Sequence, residues 1–127
     1  MRRDRESGSA AVEFALVLPL VLVVALALVQ VGLLARDRLL LEAAARSGAR
    51  AAAVEADDTA IRAAALAAAP DLDPSASRLA VARAGAQGDP VTVSISYDEP
   101  IRVPLIAWLF GSSIRLTAQA TDRQEFA

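Results

Sequence analysis

The sequence predicts an α+β protein: a long, apolar N-terminal helix that extends into a small domain of a second helix and a three-stranded antiparallel sheet. Three observations predict it. Residues 14–35 form an apolar run interrupted only by Pro19, Gln30 and Gly32. Helix-favouring residues then continue to Pro70, and in the last third the pattern changes to alternating apolar and polar residues. At 127 residues there is room for one spanning segment and one small folded unit.

The apolar run is long enough to cross a membrane. A helix from Phe14 to Ala35 measures about 33 Å at 1.5 Å per residue, against a hydrocarbon core of about 30 Å. Pro19 would break a soluble helix interior, but a spanning helix tolerates it. A buried core helix is the ordinary alternative, and the rest of the chain has too little apolar mass to wrap one. Hydrophobic residues make up 55 % of the sequence, yet many are alanine, and there are only three Phe, one Trp and one Tyr. Any domain built from them is lightly packed.

A cleavable signal peptide is the stronger rival. Arg2, Arg3 and Arg5 form a basic start, and Ala25-Leu26-Ala27 is an A-x-A site. Cutting after Ala27 would release residues 28–127 as a secreted or periplasmic binding module. Apolar residues continue past Ala27, however, where a cleavage region turns polar, and the carboxylate of Glu13 has no use in a disposable leader. Basic residues flank the run on both sides, so the short N-terminal leader alone favours N-terminus inside and the rest extracytoplasmic.

Beyond residue 35 the helix is expected to run on through 36–56. Arg38, Glu42, Arg46 and Arg50 fall on one charged stripe, with Leu40, Ala44, Ser47, Ala51 and Val54 on the opposite, packed side. A solvated face explains the stripe; a partner-binding face is the alternative. Asp57-Asp58-Thr59 offers capping side chains for a second helix over 59–69, and "PDLDPSAS" reads as a loop. Strands follow near 79–83, 91–98 and 113–121. Val91, Val93, Ile95 and Tyr97 alternate with polar neighbours, as do Ile114, Leu116, Ala118 and Ala120. Between the last two strands, "PIRVPLIAWLFGSS" carries Trp108 and Phe110. It is expected to close the core, or else to touch a membrane or a neighbouring subunit.

Composition narrows the function. A formal charge of −2 gives no basic face for nucleic acid. With no Cys and no His, thiol chemistry, the usual zinc sites and Ser-His-Asp catalysis lack their residues. The acidic pairs Asp57/Asp58, Asp71/Asp73 and Asp98/Glu99 each border a turn or helix start, where capping is their ordinary work.

Residues 7–54 resemble the TadE-like family of the tight-adherence pilus system, a branch of the type IV pilin-like proteins. The residues that carry the resemblance are "GSAAVEFALVLPLVLVVALALVQVG" and "LLLEAAARSGARAAAV". It implies a pilin-like fold with a leader over 1–8, a transmembrane helix over 9–35 and an extracytoplasmic domain over 36–127. In such prepilins an aspartyl peptidase cuts after glycine and glutamate stands fifth in the mature chain. Gly8 and Glu13 have that spacing, which makes Gly8–Ser9 the implied cut. Glu13 and Phe14 are the implied recognition and subunit-pairing residues; Pro19, Gln30 and Gly32 would kink and pack the span. The implied partners are the bilayer, the prepilin peptidase and other pilin-like subunits of the inner-membrane assembly machinery. No enzyme activity, cofactor, metal or small-molecule substrate is implied. The small, partly polar "SAAV" after Gly8 departs from the family's bulkier apolar start, so N-methylation is not carried over.

Overall fold

The computed structural model describes residues 2–103, 107–108 and 111–126, with side chains from Gly8 onward. Helix α1, Arg2–Val54, runs 53 residues without a break and contains Pro19. At 1.5 Å per residue it is about 80 Å long. Its apolar half is bare: the side chains of Phe14, Leu16, Leu20 and Val24 all face outward. The rest of the chain gathers around its second half.

Helix α2, Asp58–Ala67, begins where Asp57 accepts from the Thr59 amide (3.0 Å) and hydroxyl (2.8 Å). Both bonds hold the Asp57 carboxyl below its ordinary range, the backbone bond contributing most. α2 stops short of residue 69 because the Ala68 and Ala69 amides turn back to Ala65 and Leu66, three residues earlier. That tightening precedes Pro70, which cannot continue a helix. Asp73 caps a single 3-10 turn, Pro74–Ala76, in the same way as Asp57 caps α2.

Strands β1 (Ser77–Arg83), β2 (Pro90–Pro100) and β3 (Ser113–Arg123) form one antiparallel sheet in the order β1-β2-β3. The α+β class read from the sequence is therefore the observed one. The β2–β3 ladder runs unbroken from Pro90 opposite Arg123 to Pro100 opposite Ser113, longer than alternation alone marked out. Both helices contact one another, and α1 lies across β2 and β3. Val91, Val93, Ile95 and Tyr97 point into that interface and are buried.

The packed side of α1 is rotated from the expected one. Leu41, Ala44, Ala45, Ala49, Ala52 and Ala53 are buried, whereas Val54 is exposed and Leu40, Ser47 and Ala51 are half-buried. Alanine occurs on every side of this stretch, so the apolar pattern has no sharp phase. Contact with the sheet chooses the side instead. The end of α1 is tied down from outside: the Glu125 amide donates to the Ala53 carbonyl (2.7 Å). Arg83, on β1, donates to the Glu55 and Ala56 carbonyls just beyond. A cation near a helix C-terminus is favourable.

Trp108 does not close the core. It is 83 % exposed, and Phe110 lies outside the described residues. The Ile101 amide donates to the Ser112 carbonyl (3.0 Å), pinching the connection into a separate excursion, while buried Ile101 covers that end of the core.

At Gly48 helix and sheet approach closely. A Cβ there would lie 3.1 Å from Val93 Cγ1 and 3.2 Å from the Ala65 Cβ. Gly48→Leu should destabilise the domain by about 1–3 kcal/mol, since overpacking forces the neighbours apart. Gly48→Ala should be nearly neutral, because a helix-propensity gain of up to about 1 kcal/mol offsets the tight contact. Thermal denaturation of the detergent-solubilised chain, followed by circular dichroism, checks both.

Candidate functional site

Two groups of residues set themselves apart, one at each end of the apolar half of α1. At the N-terminal end, Gly8 lies within the helix with open space around it. One turn on, the Ser9 hydroxyl donates to the Glu13 carboxylate at 3.3 Å. Spacing of four residues places both on one face, which explains the contact. Phe14 is exposed beside them. Pro19 follows inside the helix, and Gly32 leaves an open notch further along, with nothing near the position of a Cβ.

The second group forms where the span meets the domain. Gln30 and Asp37 are seven residues apart on α1, two turns along one face. Gln30 is only 3 % exposed, because its side-chain carbonyl accepts from the Arg102 amide at 3.3 Å. Asp37 is buried as well. From β2 comes Glu99, fully buried at 0 % exposure. Its Oε1 lies 3.8 Å from Arg102 Nη2, and among the described residues neither carboxylate oxygen has a hydrogen-bond partner. Arg36 pairs with Asp71 and reaches Asp37 at 3.8 Å.

Burial makes a charge on Glu99 costly. That desolvation, then the neighbouring Asp37, push the Glu99 carboxyl up to about 7, against a smaller pull from Arg102 and Arg36. Protonated, the Glu99 carboxyl lies neutral beside Asp37; ionised, it is a charge held away from water. The arrangement is a polar joint between the end of β2 and α1, tied by the Gln30–Arg102 hydrogen bond.

Sequence reasoning singled out Gln30 but missed its partner, Arg102, and Asp37; it placed Asp98 and Glu99 at a turn with a capping role, whereas both lie within β2 and Glu99 is buried. The signal for Glu99 was present. It has the same parity as Val91, Val93, Ile95 and Tyr97, so alternation turns it inward. The other paired acids have surface work: Asp57 and Asp73 cap, Asp58 meets Arg83 at 3.4 Å, and Asp98 meets Arg115 at 2.8 Å. The charged stripe holds itself through Arg38–Glu42 (3.3 Å) and Arg46–Glu42 (3.9 Å) contacts, all exposed to water.

The structure thus unites Gln30 and Asp37 with Glu99 and Arg102, and keeps Gly8, Ser9, Glu13 and Phe14 apart from them on the bare end of the rod. No curated protein and no solved structure matches this chain. Residues 8–50 match the pattern of the family described as TadE-like protein, a stretch that takes in both groups on α1.

The joint carries a pH dependence with a definite sign. An acid whose folded value is raised binds its proton more tightly in the folded state, so its stabilisation is complete below the ordinary 4.5 and is lost as pH rises through about 7. Domain stability should therefore fall between pH 4.5 and 7 and level off above. In Glu99→Gln an amide donor faces Asp37 at every pH. Urea titrations of the detergent-solubilised chain should show a flattened profile for this variant and a gain of about 1–3 kcal/mol at pH 8.

Proposed function

We propose, from the match of residues 8–50 to the TadE-like pattern, that the chain is a membrane-anchored pseudopilin related to the tight-adherence pilus. It acts by packing its helix against those of other pilin-like subunits. The observation that carries this reading is the division of α1: a bare apolar half long enough to cross a membrane, continuous with a half that is clothed by its own domain. A helix hydrophobic all round needs an apolar surrounding. Lipid supplies it before assembly, and neighbouring helices supply part of it afterwards.

In this reading the prepilin peptidase cuts between Gly8 and Ser9 at the cytoplasmic face of the inner membrane, and the domain is extracytoplasmic. Gly8 lies in helical backbone, so the cut requires local unwinding. Glycine makes that easier by about 1 kcal/mol relative to alanine, and its missing side chain lets the peptidase approach the backbone. Cleavage turns Ser9 into an α-amino cation one turn from Glu13. The amine and carboxylate then lie on one stripe, where the carboxylate of one subunit can meet the amine of the next. Pro19 and the open notch at Gly32 are the places where a neighbouring helix would find relief in the surface. Release after Ala27 fits poorly, because it would leave Gln30 in the frayed first turn of a new helix, loosening its bond to Arg102.

Sequencing the mature N-terminus tests the processing step. Ser9 is the expected first residue; Leu28 would overturn the reading in favour of a secreted module. Gly8→Leu should retain the leader, seen as an unshifted heavy band when the peptidase is co-expressed. Normal maturation of that variant would count against this cut site.

Glu13→Gln separates pairing from a simple helix-dipole effect. A dipole role is worth about 0.3–1 kcal/mol and would leave assembly nearly intact. Pairing with a neighbour's Ser9 amine predicts a loss of about 3–5 kcal/mol at that contact, because a desolvated cation loses its partner. Crosslinking of mature protein at equal membrane abundance should show strong loss of subunit contact with processing intact.

A further inference from the structure

Between β2 and β3, Trp108 lies outside the packed core. β2 descends along α1 toward its apolar half: Ile95 packs with Leu41, Ala44 and Ala45, Glu99 sits by Asp37, and the Arg102 amide meets Gln30. Two rises agree on this. From Ile95 to Arg102 a strand advances about 23 Å, and from Ala45 back to Gln30 a helix covers about 22 Å. The chain beyond Arg102 therefore leaves the domain at the level of Gln30, inside the apolar run. There the Ile101–Ser112 bond closes its neck, and beyond it the Ala107 amide donates to the Val103 carbonyl and the Gly111 amide to that of Ala107 (2.9 Å each). Gly111 takes φ +91°, a conformation that favours glycine, and returns the chain to β3. In this stretch sits Trp108, 83 % exposed, and at its neck Arg102, whose side chain is also largely exposed.

A tryptophan this exposed is costly in water. Tryptophan is instead favoured at the boundary of hydrocarbon and headgroups, where its ring is buried and its N–H stays wet. Arginine at the neck can reach a phosphate from the same depth. The Gln30–Arg102 bond holds this neck against the apolar run of α1.

We propose that Trp108 makes a second membrane contact, a foot seated in the headgroup boundary of the leaflet beside the domain. The proposal rests on the reading of α1 as a membrane span. With the span and the foot together, the domain is held at a fixed height and angle on the bilayer before it joins an assembly.

Trp108 is the single tryptophan of the chain, so its fluorescence reports this site alone. The test uses the full chain in phosphatidylcholine–phosphatidylglycerol vesicles at high lipid excess, with iodide as the aqueous quencher and brominated acyl chains as the lipid quencher. The expected result is loss of most of the emission in brominated vesicles, with little quenching by iodide. Ready quenching by iodide with no effect of bromine would overturn the foot, as would shielding that appears only at high protein density, which would mean that a second copy covers Trp108. Alkaline carbonate extraction distinguishes the two readings. Protein retained in the membrane with Trp108 open to iodide overturns the foot alone, and protein released overturns the span and the foot with it.

Discussion

The close approach of β2 to α1 governs this molecule. A helix and a sheet approach this closely only where the helix presents small side chains, and α1 offers Ala44, Ala45, Gly48, Ala49 and Ala52 along one line. These residues bury little area themselves. Their contribution is to admit the larger Val91, Val93 and Ile95 of the sheet and Ile61 of α2, each worth about 1.5–3 kcal/mol when fully buried. The helix is the floor of the core and the sheet supplies most of its mass. That division suits a chain with so few aromatic residues, since a light sheet can fold onto a rod that already exists.

The same contact explains why the polar joint sits where it does. β2 keeps its alternation past Tyr97, so the next inward position belongs to Glu99 whether or not an acid suits it. There the facing residue of α1 is Asp37, and the core gives way to the level of the membrane edge. Two acids facing each other cost stability when both are ionised. What the joint supplies in return is directional: the hydrogen bond from the Arg102 amide to Gln30 orients the end of the strand, where apolar packing would allow sliding.

Most of the architecture could be read from residue patterns because those patterns were strong. The alternation in 91–97 and 114–120 set the faces of two strands, and the uninterrupted apolar run set the bare half of the helix. Asp57 announced its cap. Legibility failed where the pattern was degenerate or the contact was distant. Alanine on all sides of α1 concealed which face packs. Trp108 was read as core because aromatic residues usually are, although the hydrogen bond that pinches it outward joins backbone groups and leaves no trace in side-chain identity. Of the two residue groups, the Gly8–Glu13 spacing is visible as a motif. The Gln30–Arg102 and Asp37–Glu99 contacts join positions far apart in the chain, and only the strand parity of Glu99 hints at them.

The unbroken course of α1 has a geometric consequence. With no loop between its two halves, the rod acts as a keyed shaft: the compass direction of Glu13 about the helix axis is tied to that of the sheet, at about 100° per residue. A subunit docking by its apolar half thereby dictates which way its domain looks. The azimuth of the sheet about any assembly axis is thus set by residue count, as the teeth of a gear set the phase of the wheel they drive.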